Sequence, residues 1–252
     1  IKKRNDELGV LSKSLDEMTK ELNNRIKATE NFSTDLVHEI RNPLASLKSA
    51  SEIISDTSDK NKREKLLKIM IHDVSRIDRL ITDYSQILKD ELAISSEQME
   101  DLDLKPIIES VVDDFNNIYI EKKNINIKLN TSGMKKYLIK GISNRVEQII
   151  ANLLDNAVSF SKNGSVVTVG LNENKDYTIL KVSDEGEGFK ESDIKKVFDR
   201  FYSNRPENFG EHSGLGLNIV KNLVEVHNGE IYASNSPNGG AVIEINFPKN
   251  YN

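Results

Sequence analysis

Phe32-Ser33-Thr34-Asp35-Leu36-Val37-His38-Glu39-Ile40-Arg41-Asn42-Pro43-Leu44 places apolar side chains at Phe32, Leu36, Ile40 and Leu44, with Leu47 three further on. That spacing is one stripe of an α-helix. At 100° per residue His38 falls beside neither Leu36 nor Ile40 and points outward, and Asn42 stands one turn above it on the same stripe. Pro43 removes the bond to Glu39 four residues back and bends the helix just above the histidine. An outward imidazole with a carboxylate beside it and an amide at i+4 has the parts of a nucleophile, a proton acceptor and a water-positioning group. A lone surface histidine ordinarily carries no chemistry; the spacing with Asn42 and Pro43 argues otherwise here.

Toward the N-terminus, Leu8, Leu11, Leu15, Met18 and Leu22 recur at 3, 4, 3 and 4, the a/d seam of a coiled coil. Ile26 again follows at four, a stutter that joins two helical modules in one rod. Toward the C-terminus, residues 55–61 are polar and rich in capping types, so the chain turns there. A second helix carries Met70, Val74, Ile77, Ile81, Tyr84 and Leu88 at 4, 3, 4, 3 and 4. Two such helices joined by a short loop form an antiparallel hairpin. One hairpin can hardly bury both stripes, so residues 24–93 are expected to pair with a second copy in a dimeric four-helix bundle. The alternative is that the hairpin packs on the rest of its own chain.

After residue 98 the texture changes. Leu102 and Leu104 alternate with Asp, and Pro106 takes a first helical position. Strand patterns fall at 125–129, 165–171, 177–183, 229–235 and 241–247, with helical patterns at 107–120, 144–160 and 215–227 and a terminal hairpin around Pro237-Asn238-Gly239-Gly240. The fold class is therefore α+β, a long helical hairpin followed by an α/β sandwich.

The 252 residues suffice for one or two domains with a sizeable core. A net charge of −5 argues against a nucleic-acid partner. The absence of Cys excludes disulfides, Cys-ligated zinc and thiol catalysis. No apolar run approaches the ~18–20 residues that cross a bilayer. The chain opens on Ile1 with a helical pattern already under way, which reads as a soluble fragment cut from a longer protein.

No P-loop, no Ser/Thr/Tyr kinase signature and no complete dinucleotide fingerprint occurs, and His38-Glu39 lacks the second histidine of a zinc protease. Asn152-Leu153-Leu154-Asp155-Asn156 presents two amides on one helix face, hard neutral ligands suited to a Mg²⁺ that relies mostly on nucleotide phosphates. The strand 177–183 ends in Asp184, placed to accept from an exocyclic amine, with Gly186 and Gly188 letting backbone approach a base. Ser213-Gly214-Leu215-Gly216-Leu217 opens a helix, putting free N–H groups where phosphates could sit. Each element is weak singly; their order within one domain is specific.

With these motifs the chain resembles a bacterial sensor histidine kinase, the transmitter of a two-component system, over almost its whole length. Residues 1–23 resemble the second helix of a HAMP relay, with Asp6-Glu7-Leu8-Gly9 near its start. Residues 24–93 resemble the dimerisation and histidine-phosphotransfer hairpin, with His38 to Pro43 as H box. Residues 101–249 resemble the ATP-binding domain shared with gyrase B, Hsp90 and MutL. Its N box is Asn152 to Asn156, its G1 box Asp184 to Gly188, its F box Phe198 to Tyr202 and its G2 box Gly214 to Leu217. Phe201-Tyr202-Ser203-Asn204-Arg205-Pro206 resembles the ChvG-like envelope or acid sensors of alphaproteobacteria.

The resemblance implies the following roles. His38 is the phospho-acceptor, attacking ATP through Nε2, and Glu39 takes or orients the Nδ1 proton. Asn156 holds Mg²⁺ with Asn152 in support. Asp184 binds the adenine amine, and residues 202–213 close as a lid over phosphates that meet Gly214 and Gly216. The phosphoryl group passes to an aspartate on the receiver domain of a separate response regulator. Asn42 supports the reverse, phosphatase activity. The parent protein is expected to be anchored in a bacterial inner membrane, with this portion in the cytoplasm.

Ser159 stands where the family often has Lys, Phe160 where Tyr is common, and Ser203 where a basic residue is frequent, which shifts phosphate-neutralising charge to Arg205 and Lys162. His72 is expected to face solvent, His212 to be a solvated loop residue, and His227 to be a helix C-terminal residue, favourable with the dipole. Two rival functions share these motifs, a gyrase- or Hsp90-like ATPase with no role for His38 and a degenerate kinase acting as a scaffold.

Overall fold

The computed structural model describes residues 7–94, 97–132, 136–190, 194–202, 214–237 and 239–249. The chain divides into two compact units with the boundary after Leu80.

The first unit is helical. α1 (Glu7–Asp56) runs unbroken through Pro43, which is buried. The expected turn narrows to residues 57–59, and Asp59 starts α2 (Lys60–Ile94), its Oδ1 accepting from the N–H groups of Asn61 (2.9 Å) and Lys62 (3.3 Å). Ala50 and Leu80 are buried with Asp73, whereas Leu44, Leu67, Ile71 and Val74 are exposed. The seam residues Leu11, Leu15, Met18 and Leu22 are exposed as well. Asp6 and the rest of residues 1–6 lie outside the described residues. His72 is half-exposed, with its Nε2 shielded and without a hydrogen-bond partner. No helix among the described residues is long and apolar enough to cross a membrane.

The second unit holds β1 (Glu100–Asp103), α3 (Leu104–Lys123), β2 (Asn126–Thr131), β3 (Leu138–Gly141), α4 (Ser143–Phe160), β4 (Val166–Glu173) and β5 (Tyr177–Ser183). A 3-10 turn (Ile194–Phe198) precedes α5 (Gly216–Val226), β6 (Glu230–Asn235) and β7 (Ala241–Pro248). Five strands form one sheet in the order β2-β4-β5-β7-β6, parallel only between β2 and β4. The expected β-hairpin is present, with Asn235 opposite Ala241. α3 packs on β2, α4 on β4 and β5, and α5 on β6, giving helices over a sheet. Alternation buries Val167, Val169 and Leu171 on β4 and Leu180 and Val182 on β5, and Ile149, Ile150, Leu153 and Leu154 of α4 and Val220 and Val224 of α5 are buried as well.

Two expectations are corrected and one strand pairing is added. Pro106 is the third residue of α3 rather than the first, because Asp103 is the N-cap and its Oδ1 accepts from Lys105 N at 3.2 Å. Pro106 still lies in the first turn, where a missing N–H costs no helical bond. β1 and β3 pair as a separate two-stranded ribbon that the sequence pattern does not signal, each being four residues long. His227 does cap α5, but it is only 2% exposed and burial lowers its pKa, partly opposed by its bond to Leu223 O. It is therefore a neutral core residue. Its Nε2 accepts from Ile142 N (3.1 Å) at the start of α4, Nδ1 meets Leu223 O (2.6 Å), and its ring stands edge-on to Phe247.

Two side-chain bonds fix edges of this unit. The Asn116 amide on α3 meets both main-chain groups of Ile127 on β2, accepting from its N–H (2.8 Å) and donating to its carbonyl (2.9 Å). Arg145, nearly buried on α4, reaches both carboxylate oxygens of Glu97 at 3.3 Å.

Candidate functional site

In the second unit the amphipathic α4 carries Asn152 and Asn156 on its half-buried side. The Asn152 Nδ2 donates to Gln148 O (2.9 Å), which aims its carbonyl oxygen away from its own helix. α5 begins against these amides. A methyl group on Gly216 would stand 3.4 Å from Asn156 Nδ2 and 3.5 Å from Asn152 Oδ1. The bare glycine thus keeps open a cradle between two amide side chains and a helix N-terminus. The N-cap of α5, Leu215, supplies no side-chain bond, so no side chain of its own cap satisfies the first N–H groups of the helix.

Gly214 works differently from Gly216. It lies at φ +75°, and any Cβ would meet the Phe201 backbone at 2.8–3.0 Å, so it lets the F box pack on the start of α5. The Asn218 Nδ2 donates to Phe198 O (2.9 Å) in the same contact. The remainder of the expected lid, including Ser203, Arg205, His212 and Ser213, lies outside the described residues.

Asp184 follows the end of β5 and is 9% exposed. Its Oδ1 accepts from Gly186 N (2.8 Å) and Ala241 N (3.0 Å), and its own N–H donates to Ala241 O. Burial raises its pKa above the ordinary carboxylate value, and the two N–H bonds oppose the rise. The loop beyond is pinned closely: a Cβ on Gly186 would stand 2.7 Å from Phe160 O, and Gly188, at φ +73°, abuts the Asn235 side chain.

Two residues of this region carry no motif. Gly240 (φ +89°) could hold no side chain, since its Cβ would fall 1.9 Å from Asp184 O. Asn235 clamps the loop by accepting from Phe189 N (2.7 Å) and donating to Phe189 O (2.9 Å). Gly240 had a turn signal in the sequence; Asn235 had none beyond ending a strand. Ser159 is buried and its Oγ returns to Asn156 O (2.8 Å).

The donor set fits a nucleotide with Mg²⁺. Among the described residues no group of three or more acidic or histidine side chains could hold a metal, and an ion held here by the amides of Asn156 and Asn152 would need further ligands from nucleotide phosphates.

In the first unit His38 and Asn42 are exposed on α1, as the helical spacing requires. Neither side chain forms a hydrogen bond with another described residue. Glu39 turns toward α2, where its Oε2 meets Arg76 Nη2 at 2.8 Å. Arg76 gave no sequence signal, since a polar residue beside an apolar stripe is ordinary.

Residues 28–93 match the family "His Kinase A (phospho-acceptor) domain", and residues 141–251 match "Histidine kinase-, DNA gyrase B-, and HSP90-like ATPase". The chain is 39% identical over 239 residues to the sensor protein ChvG of Agrobacterium fabrum and 37% identical over 240 residues to that of Rhizobium meliloti, 92% of this chain in each case. It spans 40% and 41% of the length of these relatives. Its fold is like that of histidine kinase ThkA, solved in complex with response regulator protein TrrA (TM-score 0.68, 22% identity, 92% of this chain and 65% of that one). A phospho-acceptor hairpin and an ATPase-type domain follow one another in one chain, with the sequence likeness running across both, and on these grounds the chain belongs to the sensor histidine kinase family, in its ChvG-like branch.

Proposed function

We propose that the chain is an ATP-dependent autokinase that phosphorylates His38 and hands the phosphoryl group to an aspartate of a response regulator. The observation that carries this reading is the cradle of Asn152, Asn156 and Gly216 in the same domain as Asp184, in a chain whose α1 presents an outward His38. Asp184 takes the adenine amine on the oxygen its backbone donors leave over. Gly186 and Gly188 shape that end, and the amides and the start of α5 receive the phosphates. Asn156, with Asn152 in support, would hold Mg²⁺, which would supply charge neutralisation at those phosphates. His38 Nε2 attacks the γ-phosphorus, the bond from that phosphorus to the bridging oxygen breaks, ADP leaves, and the Nδ1 proton passes to Glu39.

The same reading assigns Asn42 a water-positioning role in dephosphorylating the regulator. It assigns residues 24–93 to a homodimeric phosphotransfer hairpin, 101–249 to the catalytic domain and 1–23 to the end of a HAMP relay. The whole protein is a sensor of the bacterial inner membrane with this portion in the cytoplasm.

Incubation with γ-labelled ATP and Mg²⁺ tests the reading. Wild type should take up acid-labile, alkali-stable label and His38→Ala none. Label that persists in His38→Ala refutes the assignment. Free phosphate without protein label favours the ATPase reading, and nucleotide binding without either product favours the scaffold.

A further inference from the structure

The ion pair between Glu39 and Arg76 bears on the proton transfer just assigned, and the following rests on that assignment. His38 and Glu39 are consecutive on α1, and neighbours in a helix point about 100° apart. The imidazole is exposed, the carboxylate is turned to α2, and no hydrogen bond joins the two. The group that would receive the Nδ1 proton is thus occupied by a guanidinium, in a short charge-assisted contact of 2.8 Å.

A second carboxylate stands one helical turn from the same arginine. Asp73 stands three residues before Arg76 on α2, a spacing that brings side chains together on one helix surface. It is 7% exposed, its Oδ1 has His72 Nδ1 only at 3.6 Å, and its Oδ2 is buried with no hydrogen-bond partner. An orphaned buried carboxylate oxygen is costly, and a guanidinium with five donors is the group that relieves it. The cation is thus paired with the half-exposed Glu39, while Asp73, one turn away on its own helix, is buried and unmet.

We propose that Arg76 is a positioning residue that alternates between Glu39 and Asp73, and that its move to Asp73 releases Glu39 to accept the proton of His38. The observed pairing is the withheld state. An ion pair of this exposure holds its geometry by no more than about fivefold, so the release is shallow and easily biased from elsewhere in the chain. Arg76 touches neither His38 nor nucleotide in this scheme; it acts only through Glu39.

The test is the initial rate of His38 labelling by the full chain at saturating ATP, with KM for ATP measured alongside. Arg76→Gln should raise kcat roughly two- to fivefold with KM unchanged, because the clasp is lost. Arg76→Lys should stay near wild type. Asp73→Asn should lower kcat by a similar factor, since the alternative seat is gone, and the double variant should match Arg76→Gln alone. A purely structural role for either residue would slow both variants, with effects that add. A rate that is unchanged or slower in Arg76→Gln, or effects of the two substitutions that sum, overturns the proposal. Should Arg76→Gln unfold, Asp73→Asn decides alone, because it removes an unmet buried carboxylate and leaves the packing intact; an unchanged or raised rate then overturns it. Glu39→Gln separates the two levels. If it leaves labelling intact, Glu39 is not the acceptor and the mechanism above fails; if it slows labelling, Arg76→Gln should have no further effect in that background.

Discussion

Asp184 has two oxygens in different situations. Oδ1 is committed to the N–H groups of Gly186 and Ala241, which fixes the plane of the carboxylate and leaves Oδ2 to accept from a ligand. Asp184→Asn can keep the first oxygen in place while turning the second into a donor, which an exocyclic amine cannot use. Nucleotide affinity should fall ten- to a hundredfold, as expected for about 1.4–2.7 kcal/mol, with the thermal midpoint nearly unmoved. Isothermal titration with ADP beside a melting curve checks this, and unchanged affinity would remove Asp184 from the base-binding role. Asp184 was legible because β5 ends immediately before it in an apolar alternation. Its partner Ala241 was not, and the turn signal at Gly240 did not point to Asp184, because these residues come 57 and 56 positions later and only the β6–β7 hairpin brings them back. Glu39 shows the same limit: its place on α1 could be read from periodicity, but its occupation by Arg76 depends on a contact between helices.

At the scale of elements, long periodic segments were legible and short or buried-polar ones were not. α4, α5, β4, β5 and β7 lie within two residues of their sequence-based limits, since each repeats its apolar period several times. β1 and β3 repeat it too few times to be seen. His227 was misread because the charge–dipole argument assumes solvent, whereas α5 ends inside the core. The error has a measurable counterpart. Burial makes the folded chain bind this proton less readily than the unfolded chain, so protonation favours unfolding. The contribution of His227 to stability is present above pH ~6.5, the unfolded value, and is lost progressively as pH falls below it. Urea titrations at pH 7.5 and 5.5 should show the second unit weakened at the lower pH, and His227→Gln, which cannot charge, should narrow that difference. An equal difference in both proteins would refute the account.

For the whole molecule, two apolar stripes remain open. Leu11, Leu15, Met18 and Leu22 on the early part of α1, and Leu44, Leu67, Ile71 and Val74 on the hairpin, are each about half or more exposed. Contiguous apolar surface of this kind is covered in a working assembly, and a second copy presents the matching stripe. Sedimentation equilibrium should give about twice the chain mass of 28.5 kDa, and the pair Ile71→Glu with Val74→Glu should return the monomer. A monomeric wild type would send the reading back to intramolecular packing. One other surface is closed rather than open. β2 ends the five-stranded sheet, and the Asn116 amide occupies both the N–H and the carbonyl that Ile127 would otherwise offer outward. A side chain stands where a stranger's strand would dock, so that edge is a poor template for fibril growth at high concentration.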